Sequence, residues 1–127
     1  MKVYRGFLKG YIDVLAKVEE RWWVLDWKTN VPAGADSLKS YSREILDSVM
    51  DHQHYHLQYE LYLLSLCRTL SSQKGRPVAW DSEIGGAVYL FVRGMREQDD
   101  RGILMYKPTP ERMTELCASM NLQDVLT

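Results

Sequence analysis

Two apolar, strand-like runs joined through a pair of glutamates, GYIDVLAKVEERWWVLDWKTN at residues 10–30, constrain the fold of this chain more than any other feature. Asp13 stands in the first run and Asp26 in the second, with Lys28 two residues further on. Aspartate is disfavoured within strands and costly to bury without a partner, so solubility alone does not account for the pattern. Glu19 and Glu20 suit a solvated turn, which makes the runs the arms of an antiparallel hairpin. With the turn centred between them, Val18 faces Arg21, Lys17 faces Trp22, and Asp13 faces Asp26. Opposed residues share a face, with β-carbons ~4.5–5.5 Å apart, and Lys28 joins them there. The other face reads Ile12, Val14 and Ala16 against Trp23, Leu25 and Trp27, and is expected to be the core face. Glu-Glu is a poor hairpin turn, and a three-residue loop would split the aspartates between faces. The apolar alternation supports the even register.

Two carboxylates this close repel, so either one holds a proton or a cation sits between them. Oxygen donors suit a hard divalent ion such as Mg²⁺, which keeps waters that a substrate can displace. Lys28 is then placed to position or deprotonate an attacking water, or to neutralise charge developing on a phosphate. The residues alone leave a second reading open, in which Lys28 salt-bridges one aspartate at a sheet edge and the other points to water.

The rest of the chain frames that hairpin. Its 127 residues suffice for one core but not two, and 46% apolar with 26% charged residues is a globular composition. A net charge of −1 confines any nucleic-acid contact to a local site. MKVYRGFLKG has no signal-peptide apolar core, and no run approaches the ~20 apolar residues of a membrane span. Cys67 and Cys117 form no CxxC pair and read as buried thiols rather than metal ligands or a disulfide. The abrupt strand-like start suggests a piece of a longer polypeptide. Strands are expected over 3–9, 11–18, 21–28, 87–94 and ILMYKP, with a loop at 29–37 and a long one at 71–86. Helices are expected around 41–51, 54–71 and PERMTELCASM, the last begun by Pro110. This order makes the chain α/β or α+β with a mixed sheet flanked by helices.

Helical spacing puts His54, Gln58, Tyr62 and Ser65 on one polar stripe of an otherwise apolar helix, a face that should meet something wet. His52 and His56 would share a helix face as a zinc pair, but nothing nearby completes the set, and a solvated helix start is preferred. Arg43, Arg68, Lys74 and Arg76 read as ordinary surface cations, and Trp22 as packing rather than stacking on a base.

GYID, twelve intervening residues and then DWK resemble the core of the PD-(D/E)xK nuclease superfamily: an acid on one strand, then acid, any residue and lysine on the next. LDWKTN is similar to the LDYKTN form of its RecB-type branch. QYELY, with Gln58 and Tyr62, resembles that branch's Q-x-x-x-Y helix motif, and VYLFVRG the segment that follows. The likeness runs in order through residues 5–107. It implies a restriction-endonuclease-like α/β fold with a mixed central sheet. It also implies Asp13, Asp26 and the Trp27 backbone carbonyl as metal ligands, Lys28 as the catalytic lysine, and Gln58 and Tyr62 orienting that lysine or contacting DNA. The implied ion is Mg²⁺, replaceable in binding by Mn²⁺ or Ca²⁺. The implied activity is DNA phosphodiester hydrolysis of the exodeoxyribonuclease V type, in recombinational repair and degradation of linear DNA. RecC-like and RecD-like subunits would be partners through an ATP-driven helicase-nuclease parent in the bacterial cytoplasm, and residues 1–127 a single domain near its C-terminus. RecB-type nucleases take a further histidine ligand from upstream of the first acid, whereas no histidine here precedes His52, so the isolated fragment is expected to be weakly active or inactive. Two alternatives stay open: a non-catalytic docking module retaining the fold, and a phosphohydrolase of small substrates.

Overall fold

A computed structural model describes residues 14–29 and 42–127. In chain order these form strands β1 (Val14–Val18) and β2 (Arg21–Lys28) and helices α1 (Arg43–His52), α2 (Tyr55–Lys74) and α3 (Trp80–Glu83). Strand β3 (Ile84–Phe91), a 3₁₀ turn (Val92–Gly94), strand β4 (Ile103–Tyr106) and helix α4 (Pro110–Ser119) follow. Asp13, the strand expected over 3–9 and nearly all of the loop expected at 29–37 lie outside the described residues.

The hairpin adopts the register that the apolar alternation requires, with Val18 opposite Arg21, Lys17 opposite Trp22 and Val14 opposite Leu25. Glu19 and Glu20 make the turn with φ of 51° and 67°, the left-handed pair of conformations whose twist suits a two-residue hairpin. Side chains with a β-carbon resist that geometry by ~1 kcal/mol each. Replacing the pair by Asn-Gly (Glu19→Asn with Glu20→Gly) should therefore raise stability by about 1 kcal/mol, or ~4 °C in Tm. The only described ion pair lost is the exposed Lys17–Glu20 contact at 3.5 Å, which is worth little. A lower Tm in a calorimetric scan would contradict this account of the turn.

The four strands make one mixed sheet in the order β1-β2-β3-β4. The outer pairs, β1/β2 and β3/β4, are antiparallel, and the central β2/β3 pair is parallel. Parallel neighbours need a crossover, and α1 and α2 supply it. The helices separate at Gln53 and His54, the latter left-handed at φ 57°. Along α2, Tyr59, Leu63, Leu66, Cys67 and Leu70 recur at helical spacing and are buried. α4 begins with Thr109 accepting a hydrogen bond from the Arg112 N–H and with proline in its first turn. It is tied to α2 by the Arg112 guanidinium, which donates to both carboxylate oxygens of Glu60 at 2.6 and 3.1 Å. Cys67 and Cys117 are buried free thiols.

Four expectations need correction. The core lies on the Asp26 face of the sheet, not the Trp23/Leu25/Trp27 face. Val24, Ala87, Tyr89 and Phe91 are fully buried there, while Val18, Trp27 and Met105 on the other face are 55%, 46% and 57% exposed. Alternation separates the two faces of a strand but does not say which one the crossover helices cover. Next, residues 71–86 are not one long loop: α2 runs on to Lys74, α3 intervenes and β3 starts at Ile84. Gly85 and Gly86 are used for close approach rather than for turning. The Trp23 indole occupies the space a β-carbon on Gly85 would take, and Gly86, at φ 136°, lies against the Tyr106 backbone. The strand expected at 87–94 accordingly ends at Phe91, with 92–94 forming the 3₁₀ turn. Finally, His54 stands at the break before α2, and His52 and His56 lie on different helices, so the i, i+4 pairing does not arise. The His56 ring nitrogens meet Tyr59 at 2.9 Å and Asp51 at 3.2 Å.

Lys74 and Arg76 converge on Glu83, at 2.7 and 2.6 Å. Those hydrogen bonds, Arg76 first and then Lys74, bring the Glu83 carboxyl down from 4.5 to about 2. A depressed carboxyl stabilises the fold above its unfolded pKa and loses that contribution as pH falls towards the folded one. Glu83→Gln should therefore cost about 1 kcal/mol at pH 7, a value held down by the exposure of both cations. The gap from wild type should close between pH 4.5 and about 2 in acid titrations followed by circular dichroism.

Candidate active site

The site forms where the parallel pair ends. β2 and β3 finish side by side, with Lys28 paired to Phe91 and Asp26 paired to Tyr89. Ligand sites in α/β sheets favour the carboxyl ends of parallel strands. Asp26 and Lys28, two residues apart, project from the same face into the seam beneath α2. Their side chains are only 7% and 13% exposed, with Lys28 Nζ 3.3 Å from Asp26 Oδ2.

α2 supplies the next contact, as Lys28 Nζ donates to Gln58 Oε1 at 3.3 Å. An ammonium can only donate, which fixes the oxygen of the Gln58 amide, rather than its nitrogen, towards the lysine. The ammonium also lies 4.1 Å from the Tyr55 ring centroid and 5.4 Å from that of Tyr89, within cation–π range. The Tyr89 hydroxyl lies 2.5 Å from the same Gln58 oxygen and 3.2 Å from the Tyr55 carbonyl. Burial above all, then the charge of Asp26 and the neighbouring phenols Tyr62, Tyr55 and Tyr59, push the Tyr89 pKa well above the ordinary tyrosine value. Tyr89 is therefore a protonated donor at neutral pH.

Of the residues singled out in the sequence, Asp26, Lys28 and Gln58 are brought into direct contact. Tyr62, one turn beyond Gln58, is half-buried within electrostatic reach of Tyr89. The Trp27 side chain points to the opposite face of β2 from its two neighbours. His54 and Ser65 are exposed, so the polar stripe narrows to Gln58 and Tyr62. Trp22 packs against the core with Lys17 over its ring, as the packing reading expected. Arg43, Lys74 and Arg76 are engaged with Asp47 and Glu83. Tyr55 and Tyr89 belong to the site without being part of the motifs that mark it in the sequence. Tyr55 was within reach, three residues before Gln58 on the same helical face. Tyr89 was not, because only the parallel register sets it opposite Asp26.

The donor that the described site offers a metal is the Asp26 carboxylate, a hard oxygen ligand that suits Mg²⁺ rather than a soft ion. Among the described residues no cluster of three or more His, Cys, Asp or Glu side chains is assembled. The second carboxylate of the hairpin, Asp13, lies outside those residues.

A buried acid–lysine pair two residues apart, on one of the two central strands of a mixed sheet, is the arrangement of one nuclease class, and residues 3–123 match the PD-(D/E)XK nuclease superfamily; the chain belongs to it. Among its relatives is the RecBCD enzyme subunit RecB of Escherichia coli (strain K12), 37% identical over 94% of this chain. The RecB subunits of Haemophilus influenzae and Mycobacterium tuberculosis (strain ATCC 25618 / H37Rv) are 33% and 41% identical over 88% and 72% of it. The chain spans about a tenth of the length of these relatives: 10%, 9% and 8% respectively. No helix of the described residues is long and apolar enough to cross a membrane.

Proposed function

We propose that this chain hydrolyses DNA phosphodiesters as the nuclease domain of a RecB-like helicase-nuclease. The observation that carries the reading is the contact of Lys28 with Asp26 at 3.3 Å, nearly closed from bulk water. Asp26, Asp13 and the Trp27 carbonyl would hold Mg²⁺. When bound, such an ion polarises a phosphoryl oxygen and lowers the pKa of a coordinated water. The chain's own residues do the rest. Asp26 supplies charge where a cation must sit, and Lys28 offers a donor for the attacking water or for the negative charge that grows on the phosphate. Gln58 holds Lys28 in that orientation, and Tyr62 lines the neighbouring surface of α2.

By the same reading the substrate is linear DNA, the process is recombinational repair and DNA degradation, and the partners are RecC-like and RecD-like subunits in the bacterial cytoplasm. The near-neutral charge of −1 agrees with a division of labour in which a motor elsewhere grips DNA and this domain cuts it. The test is cleavage of end-labelled linear DNA, with and without Mg²⁺, by the protein as its gene encodes it and by its Asp26→Asn variant. Undiminished cutting in chelator would end this reading. A failure to bind Mn²⁺ would turn it into a docking module.

A further inference from the structure

We infer that Tyr89 is a positioning residue for Lys28, acting through Gln58: its hydroxyl pins the glutamine amide, and the pinned carbonyl then holds the ammonium alongside the faces of Tyr55 and Tyr89. The inference deepens the nuclease reading and rests on it for the kinetic consequence. A lysine whose only partner is Asp26 faces a conflict, because a divalent ion on that carboxylate competes for the same charge. The seam resolves it. Three contacts of the Lys28 ammonium do not involve Asp26: the Gln58 oxygen at 3.3 Å and the two rings at 4.1 and 5.4 Å. The Gln58 carboxamide could swing about its last torsion, a broad and soft one. The Tyr89 hydroxyl at 2.5 Å removes that freedom. Tyr89 is itself fully buried on β3 opposite Asp26, its hydroxyl also within 3.2 Å of the Tyr55 carbonyl. Its single proton goes to the nearer acceptor, Gln58, while the Tyr55 carbonyl lies in the first turn of α2, whose Tyr55 ring supplies one of the faces.

Tyr89→Phe removes one oxygen and leaves the ring. In the 127-residue chain, nuclear magnetic resonance should show the Gln58 side-chain amide and the Lys28 ammonium as ordered, slowly exchanging signals. In the variant both should collapse into the exchange-broadened class. In DNA hydrolysis by the protein as its gene encodes it, kcat should fall about tenfold, the worth of one hydrogen bond. KM for DNA and Mn²⁺ affinity should not move. Combined with Gln58→Ala, Tyr89→Phe should add no further loss, since both act through one contact. Signals unchanged in Tyr89→Phe, or losses that multiply with Gln58→Ala, would overturn the inference. Should Asp26→Asn cut DNA at the wild-type rate, the nuclease reading falls alone, and the two side-chain signals still decide the role of Tyr89.

Discussion

Asp26→Asn should cut linear DNA at no more than about a thousandth of the wild-type rate. The substitution keeps the shape of the side chain and removes its charge, so the effect reports on electrostatics rather than on packing. In the seam Asp26 is 5% exposed, and a charge so far from water acts strongly on whatever cation it meets. Losing it should weaken Mn²⁺ binding, measured by calorimetric titration, in step with the loss of rate. Lys28 would then lack its ion-pair partner while keeping Gln58 and the tyrosine faces. The stability cost should accordingly stay near 2 kcal/mol, below that of a fully orphaned buried charge. A variant that remains folded, binds the ion poorly and does not cut is the expected combination. Cutting at the wild-type rate would remove Asp26 from the chemistry.

Lys28→Met should also lose activity, by about 10²–10⁴ in kcat, the range for removing a positioned proton donor or acceptor. Its second signature runs opposite to that of Asp26→Asn. Methionine fills the seam without a charge, so Asp26 loses the ammonium now 3.3 Å away and no longer divides itself between lysine and ion. Mn²⁺ affinity should hold or rise. Without metal the buried carboxylate has lost the Lys28 charge and the fold weakens; with metal a cation again stands beside it. The rise in Tm on adding Mn²⁺ should therefore be larger in Lys28→Met than in wild type, because a ligand stabilises in proportion to how much better it binds the folded state. Loss of ion binding and activity together would mean that Lys28 only props up Asp26. An unchanged rate would mean that it takes no part.

Much of this was legible in the sequence, for local reasons. The hairpin register followed from alternation, since a slip by one residue would have turned every side chain to the wrong face. The break between α1 and α2 shows in the polar Asp51–Gln53 stretch, and Pro110 announces the start of α4, to which the structure adds the Thr109 cap. Asp26, Lys28 and Gln58 were named from motif and spacing, and they meet in space. The misreadings also share a cause. Gly85 and Gly86 fall in the loop expected at 71–86 because glycine usually supplies backbone freedom, whereas here its missing side chain makes room for Trp23 and the β4 edge. Apolar content points to the wrong buried face, because the crossover helices cover the face that carries the acid and the lysine.

What the chain determines by itself is therefore what depends on near neighbours: strand alternation, helix stops and caps, and the placing of an acid and a lysine two residues apart. Tertiary structure decided which side of the sheet is roofed, and that Tyr89, sixty-three positions along the chain from Asp26, becomes its neighbour. The physical reason is that a parallel pairing is closed by a distant crossover, whose register arises from packing across the whole core and leaves no local trace in the residues it brings together.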